Sequence, residues 1–228
     1  MMNWLFMCIL LLSTPCLNAM TKAEAERRLQ ALYKHEASKS CPSSDIGEHL
    51  PVLYNLAQQC ESVVEIGLRD MLSSWSFLHG LAKNSRNVRS YLGIDLHSPP
   101  KDTLDLAQRL CNATGILFQF WETNDLDIDI DPVDMLFIDS YHTYCHLTYE
   151  LEKFSPKIRK FIAMHDTSPP WGMQDEGYSG DYSEYPPEID QKKRGLWPAV
   201  EDFLIRHPEW KLRERRLNSY GLTILERR

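Results

Sequence analysis

The chain has 228 residues, of which 43% are hydrophobic, 25% charged and 11% aromatic. These fractions are typical of a globular domain and argue against collagen, long disorder and a multi-span membrane protein. The formal net charge of −7 argues against a nucleic-acid partner held through its phosphates. Glycine is scarce, with 10 residues, and no glycine-rich fingerprint for a phosphate group occurs.

The first nineteen residues form a segment without charged residues. Its apolar run, 4–12, is shorter than the roughly 20 residues that a transmembrane helix needs. The break at Ser13–Pro15 and the small residue Ala19 favour a signal peptide that is cleaved after Ala19. Since no Lys or Arg precedes the run, an uncleaved anchor and a cytosolic chain with an apolar start stay open.

The cysteines beyond this segment show no CxxC pair and no metal-type spacing. Two disulfides in three pairings are compatible with four cysteines, and so are buried thiols. We expect free thiols at the four positions, which are Cys41, Cys60, Cys111 and Cys145.

From residue 21 onward the chain alternates between helical and extended patterns. A capping box of Thr21 and Glu24 predicts a first helix, and a second follows at about Leu50–Gln59. Short, nearly continuous apolar runs predict strands that are covered on both faces. These runs are Val63–Ile66, Tyr91–Ile94, Ile116–Trp121, Met135–Ile138 and Phe161–Met164. Amphipathic segments predict the helices between them, at about 74–83, 103–112 and 144–155.

The C-terminal part adds a helix at about Leu196–Arg206 and two strands, Trp210–Arg216 and Gly221–Glu226. The short connection between these strands makes them an antiparallel hairpin. The sequence therefore predicts an α/β fold with a doubly wound, mostly parallel, seven-stranded Rossmann-like sheet. We expect residues 20–49 to form an N-terminal helical extension of a single domain over 50–228.

One stretch, 168–195, breaks the alternation. It contains four prolines, four glycines and the aromatic residues Trp171, Tyr178, Tyr182 and Tyr185. Long loops in compact domains are usually functional or disordered. We expect a lid over the substrate; a mobile insertion without ligand contacts is the alternative.

An acid lies at or near the end of each of the five predicted parallel strands. Such ends line the ligand crevice of open α/β sheets, and a carboxylate after the second strand can accept both hydroxyls of a ribose. Gly67 lets the backbone approach a ligand closely. The rest of the first loop lacks glycine, which suits a nucleoside without phosphates, such as S-adenosylmethionine. The acids are Glu65, Asp95, Asp125, Asp139 and Asp166.

At these motifs the sequence resembles the class I S-adenosylmethionine-dependent methyltransferases. The segment 136–144 is similar to the FID-x-x-H-x-Y segment of a small-molecule O-methyltransferase branch that includes cephalosporin-hydroxylase-like proteins. The resemblance spans about residues 50–228 and implies a Rossmann-like methyltransferase sheet. Its other motifs are Val63–Gly67, Leu92–Asp95, Met164–Thr167 and Gly221–Glu226.

The resemblance also implies cofactor contacts residue by residue. Glu65 and Gly67 would line the methionine and ribose part of the cofactor, and Asp95 would hold the ribose hydroxyls. Asp125 would lie near the adenine. Asp139 would face the methyl donor or a metal ion.

Metal-dependent relatives place an acidic pair after the fifth strand, where this chain has His165 and Asp166. The resemblance thus implies a site for Mg²⁺ or another divalent ion at Asp139, Asp166 and either His142 or His165. His142 is the candidate general base, since histidine titrates near neutral pH.

The favoured hypothesis is methyl transfer from S-adenosylmethionine to a hydroxyl of a small molecule or sugar, catalysed by His142 and Asp139. A metal-dependent hydrolase or hydroxylase built on Asp139, His142, His165 and Asp166 is the first alternative. A non-catalytic binding domain is the second. A homo-oligomer stays open, and so does the compartment: the signal-like start favours export, whereas the cofactor supply favours the cytoplasm.

Overall fold

The structure is a computed structural model that describes residues 20–177, 182 and 185–228. The predicted signal-like segment 1–19 and Tyr178 of the predicted lid lie outside the described residues. Among the helices of the described residues, none is both long enough and apolar enough to cross a membrane. The cysteines of the described part are free thiols, as predicted.

The helices and strands follow the predicted order. The α-helices of the described residues are α1 (Lys22–Ala37), α2 (Leu50–Ala57), α3 (Ser74–Lys83), α4 (Lys101–Thr114), α5 (Tyr144–Phe154) and α6 (Leu196–Arg206). The strands are β1 (Ser62–Ile66), β2 (Ser90–Asp95), β3 (Leu117–Glu122), β4 (Val133–Ile138), β5 (Ile158–His165), β6 (Trp210–Arg216) and β7 (Leu222–Arg227).

Within the described residues the strands form one seven-stranded sheet in the order β3-β2-β1-β4-β5-β7-β6. Strands β1 to β5 run parallel, and β7 pairs antiparallel with both β5 and β6. The predicted α/β class, the strand count and the antiparallel C-terminal hairpin are confirmed. The chain order reverses between β1 and β4, where open α/β sheets bind ligands at their carboxyl edge.

Two apolar layers cover the central strands. Side chains at alternate positions point to opposite faces, so Val63 and Phe137 pack with α1 to α4, whereas Val64 and Leu136 pack with α5 and α6. All five residues of β1 are buried. The continuous apolar runs therefore indicate central parallel strands, as predicted.

Strand β5 begins at Ile158, three residues before the predicted start. Arg159 and Lys160 are charged and interrupt the apolar pattern, so the pattern places the start of the strand too late. Both side chains bind the buried carboxylate of Asp134, at 2.8 and 2.9 Å. Charged side chains with a buried partner belong to the strand although they lack its hydrophobic pattern.

Helix α4 is longer than predicted and ends where Gly115 takes a φ of 73°.

The N-terminal helix α1 packs against the same core. Its buried residues Ala25 and Leu29 belong to the hydrophobic cluster of α2, α3 and α4. Thr21 caps it by accepting a hydrogen bond from the Glu24 N–H at 3.2 Å, half of the predicted capping box.

Candidate active site

Two adjoining cavities lie at the carboxyl edge of the sheet. The first measures about 390 Å³ and is lined by residues after β1, β2, β3 and β4, including Asp95 and Asp125. The second measures about 410 Å³ and includes His142 and Asp166. Both volumes fall in the range of about 300–1,000 Å³ that is usual for small-molecule sites. The residues that line both cavities are Gly67, Arg69, Asp139 and Ser140.

The loop after β1 forms the floor of both cavities. Gly67 has a φ of 82°, and a Cβ atom at this position would lie 2.1 Å from the carbonyl oxygen of Asp139. Arg69 and Met71 also have positive φ, of 47° and 63°. The loop thus uses left-handed backbone at three alternate positions, two of which carry side chains that disfavour it. The glycine-poor sequence therefore does not prevent this turn.

Asp95 holds the same loop against the end of β2. Its Oδ2 accepts hydrogen bonds from the N–H groups of Leu68 at 2.7 Å and Arg69 at 3.0 Å. Its Oδ1 accepts one from the N–H of His97 at 3.0 Å. The carboxylate also lines the first cavity, so Asp95 both shapes the loop and faces the cavity.

Glu65 lies away from the cavities. It is fully buried on the face of β1 that packs on α3, and its carboxylate accepts hydrogen bonds from the hydroxyls of Ser73, Ser74 and Tyr91. Burial raises the pKa of Glu65 to about 7 although these hydrogen bonds favour the charged form. The structure therefore places Glu65 beneath the loop as a support, and not on the cofactor-facing surface where the resemblance put it.

Two carboxylates and two imidazoles meet at the ends of β4 and β5. His142 Nε2 lies 3.0 Å from Asp166 Oδ2 and 3.6 Å from Asp139 Oδ1. His165 Nδ1 lies 3.4 Å from an oxygen of each of the same two carboxylates. Asp166 reaches this position with a φ of 57°, an unusual conformation for a residue other than glycine.

The two imidazoles and the two carboxylates shift one another's pKa values. Burial alone would lower the pKa of His142, but its contacts with Asp139 and Asp166 raise that pKa to about 10. Burial opposes a charge on His165 too, yet the same carboxylates hold its pKa well above the usual value. Burial would raise the pKa values of Asp139 and Asp166, but the two imidazoles keep both below the usual value.

The protonation of His142 bears on its expected role. A general base must be neutral to accept a proton. His142 is protonated at neutral pH while it is paired with Asp139 and Asp166. The expected role as base therefore does not apply to this paired arrangement.

The cluster also fits a divalent cation. Asp139, His142 and Asp166 each offer one ligand atom, and these atoms lie within 4.8 Å of one another. The resemblance implies two carboxylates and one imidazole at this place, and His142 is the imidazole that lies within this group. His165 is the less accessible alternative, since it is 2% exposed and its Nε2 lies 3.1 Å from the carbonyl oxygen of Ser219.

The segment after β5 contributes two residues whose contacts with His142 the sequence did not predict. Glu176 Oε2 lies 2.9 Å from His142 Nδ1, and the Trp171 ring stacks on His142 with 6.1 Å between the centroids. Both line the second cavity. The run of prolines and aromatic residues signalled a covering segment, but it did not show which residues meet His142.

Asp125, after β3, also lines the first cavity. It is 6% exposed, and its Oδ2 is 3.4 Å from His146 Nε2. His146 and Glu150 of α5 complete a second buried group of ionisable residues here. Sequence reasoning identified Asp125 but missed its two partners, although their spacing of four residues places them on one helix face.

Several solved structures have a fold similar to that of this chain. The SAH-bound methyltransferase of Podospora anserina is 10% identical, with 90% of this chain and 93% of that chain covered and a TM-score of 0.53. The chain has the fold of a class I methyltransferase. A methyltransferase from Geobacter sulfurreducens is 17% identical, with 88% of each chain covered and a TM-score of 0.52.

The cofactor-bound protein Rv0187 from MTB is similar to the same extent, with 14% identity, 90% of this chain and 89% of that chain covered, and a TM-score of 0.52. No protein-family model matches the sequence, and no curated protein matches it. At these identities the likeness establishes the methyltransferase fold, and the activity is inferred from the site.

Proposed function

We propose that this chain transfers a methyl group from S-adenosylmethionine to a hydroxyl of a small molecule or sugar, with a divalent cation such as Mg²⁺ at the site. The observation that supports this most directly is the shared wall of the two cavities. Asp139 borders both, so a nucleoside cofactor in the first and an acceptor in the second meet beside its carboxylate. Alignment of two reactants in this way is a large source of rate enhancement.

The first cavity suits a nucleoside without phosphates. The Asp95 carboxylate can accept hydroxyl hydrogen bonds at the end of β2, as in nucleotide-binding folds. Asp125 lines the same cavity, and the base of the cofactor would lie near it. S-adenosylmethionine supplies an electrophilic methyl group on its sulfonium.

The cation would be held by the carboxylates of Asp139 and Asp166, with His142 beside it as the base. Carboxylates suit Mg²⁺, Mn²⁺ or a related ion. A bound cation stabilises the deprotonated form of an acceptor hydroxyl. If these carboxylates coordinate a cation, His142 would lose the charge pairs that retain its proton. Its neutral imidazole would then be able to accept the proton of the acceptor hydroxyl.

The enclosing residues favour a polar acceptor. Trp171 offers a flat aromatic surface in the second cavity, and Glu176 offers a carboxylate beside His142. An aromatic surface with neighbouring carboxylates matches the stacking and hydroxyl contacts of a sugar or a polyhydroxylated ring.

The experiment is a methyl-transfer screen with radiolabelled S-adenosylmethionine against sugars and phenols, with and without Mg²⁺. Asp166→Asn is expected to lower the rate at least about 100-fold, because it removes one of the two charges at the reacting centre. Glu122→Gln is the matched control, since this exposed acid ends β3 outside both cavities. Stoichiometric zinc or iron together with no nucleoside binding would instead support a metal-dependent hydrolase or hydroxylase.

A further inference from the structure

A second cluster of metal-type ligands lies at the wall of the first cavity and shares no residue with the cluster of Asp139, His142 and Asp166. Asp125 begins a 3₁₀ turn after β3, and His146 and Glu150 lie four residues apart on α5. His146 Nε2 is 3.4 Å from Asp125 Oδ2 and 3.7 Å from Glu150 Oε1. One ligand atom from each residue lies within 4.8 Å of the other two.

Two carboxylates are buried here without a full set of partners. Asp125 is 6% exposed and Glu150 is fully buried. Asp125 Oδ2 and Glu150 Oε2 accept no hydrogen bond from any residue that the structure describes. Leaving carboxylate oxygens buried and unpaired costs free energy, so such groups are usually matched by a proton or a cation.

The ammonium group of the nearby Lys153 does not neutralise these two carboxylates. Lys153 directs its ammonium to the carbonyl oxygens of Asp125 and Leu126, at 2.9 and 2.6 Å. These hydrogen bonds fix the 3₁₀ turn and thereby the position of the Asp125 side chain.

Hydrogen bonds from neighbouring residues orient the side chains of His146 and Glu150 within the cluster. His146 Nδ1 lies 3.0 Å from the Tyr185 hydroxyl, which leaves Nε2 directed at the two carboxylates. Ser140 donates a hydrogen bond of 2.7 Å to Glu150 Oε1. Metal-binding histidines typically have such a partner on the second ring nitrogen.

We propose that Asp125, His146 and Glu150 bind a divalent transition-metal ion of the Zn²⁺ type. One imidazole and two carboxylates are ligands that zinc accepts. Ligand atoms about 2.1 Å from a tetrahedral zinc lie about 3.4 Å apart, close to the separations of 3.4 and 3.7 Å found here.

The ion would join α5 to the turn after β3. Asp125 and His146 also line the first cavity, so the same cavity gives the ion a route to the cluster. The role is to fix the wall of the first cavity, which is separate from the chemistry at Asp139 and Asp166.

Zinc titration by calorimetry tests the proposal in the variant Asp139→Asn/Asp166→Asn, which lacks the carboxylates of the other cluster. We expect one Zn²⁺ per chain, and at least about 100-fold weaker binding when Glu150→Gln is added. Glu65→Gln in the same background is the control, because it removes another fully buried carboxylate and leaves the three ligands intact. Absence of zinc binding in the background variant, or equal binding after Glu150→Gln, overturns the proposal.

Crystals of the unsubstituted chain soaked in Zn²⁺ give a readout that needs no substitution. An anomalous-scattering peak among Asp125, His146 and Glu150 supports the site. A peak only between Asp139 and Asp166, or no peak, contradicts it and leaves Glu150 as a buried, protonated acid.

Discussion

At the scale of single residues, Gly67 connects the first strand to both cavities. A side chain at this position meets the Asp139 carbonyl at 2.1 Å, and the backbone there is left-handed. Gly67→Ala is therefore expected to lower the free energy of unfolding by at least about 2 kcal/mol, as the sum of backbone strain and overpacking. Chemical denaturation measures this change.

Gly115→Ala separates the cost of backbone strain from the cost of overpacking. Gly115 has a similar φ of 73°, but the atom nearest to its added Cβ is 3.4 Å away, at the flexible end of Arg89. This variant should cost about 1 kcal/mol, from backbone strain alone. Equal costs for the two variants would show that the approach of Asp139 to Gly67 is not tight.

His142 is the second residue with a defined expectation. His142→Gln should lower the rate of methyl transfer about 100-fold to 10,000-fold, which is the usual contribution of a general base. The dissociation constant for SAH should change little, because His142 does not line the first cavity. His207→Gln, far from the site and paired with Glu152, is the control for loss of a histidine.

Steady-state kinetics with an acceptor from the screen, combined with SAH titration, distinguishes a base from a structural residue. A rate that stays within about threefold of the unsubstituted enzyme would remove His142 from the catalytic group; a general base contributes far more than this.

The sequence predicted much of the site because strand ends are fixed by the hydrophobic pattern. Asp95, Asp125 and Asp139 follow apolar runs, and all three line the first cavity. Glu65 is the exception. Its direction is set by the packing of β1 against α3 and by hydroxyls of Ser73 and Ser74, and neither is visible in strand periodicity.

At the scale of elements, α3 carries a histidine that ties stability to pH. The His79 ring packs against the rings of Tyr54 and Tyr33, with centroid distances of 4.8 and 5.4 Å. Burial, and to a smaller extent the charge of Lys83, lowers the pKa of His79 to about 4. His79 is therefore neutral in the folded protein at pH values where the unfolded chain is already protonated.

This difference predicts a loss of stability in acid. The unfolded chain binds a proton at His79 as the pH falls below about 6.5, while the folded protein does so only near pH 4. Between pH 7 and pH 5 the free energy of unfolding should drop by about 1 kcal/mol through this group, after allowance for partial solvent screening.

His79→Phe keeps an aromatic ring packed against the two tyrosines and cannot bind the proton. Denaturation at several pH values in this window should show a smaller decline for His79→Phe than for the unsubstituted protein. Parallel declines for both proteins would refute the role of His79.

The segment between β5 and α6 makes tertiary contacts that a prediction of helices and strands does not include. Its composition indicated a functional loop, and Trp171 and Glu176 do contact His142. Their partner His142 lies in the loop between β4 and α5, far away in sequence, so periodicity carries no information about these contacts. The greater accessibility of His142 than of His165 depends on the same tertiary arrangement.

At the scale of the whole molecule, local patterns were sufficient for the fold. Alternating apolar runs and amphipathic helices determine a doubly wound sheet, and right-handed crossovers leave few topologies. Seven strands with an antiparallel β7 match the prediction within the described residues. The first loop is where the sequence pattern alone misleads, because Arg69 and Met71 adopt left-handed backbone that glycine would favour.

The first cavity is proposed to bind the nucleoside of S-adenosylmethionine. Isothermal titration of the folded chain with SAH tests this most directly, with Asp95→Ala as the variant that removes the carboxylate at the end of β2. We expect saturable binding of one SAH per chain and markedly weaker binding by Asp95→Ala. Absence of binding by the folded, unsubstituted chain, or identical binding by Asp95→Ala, would contradict the account.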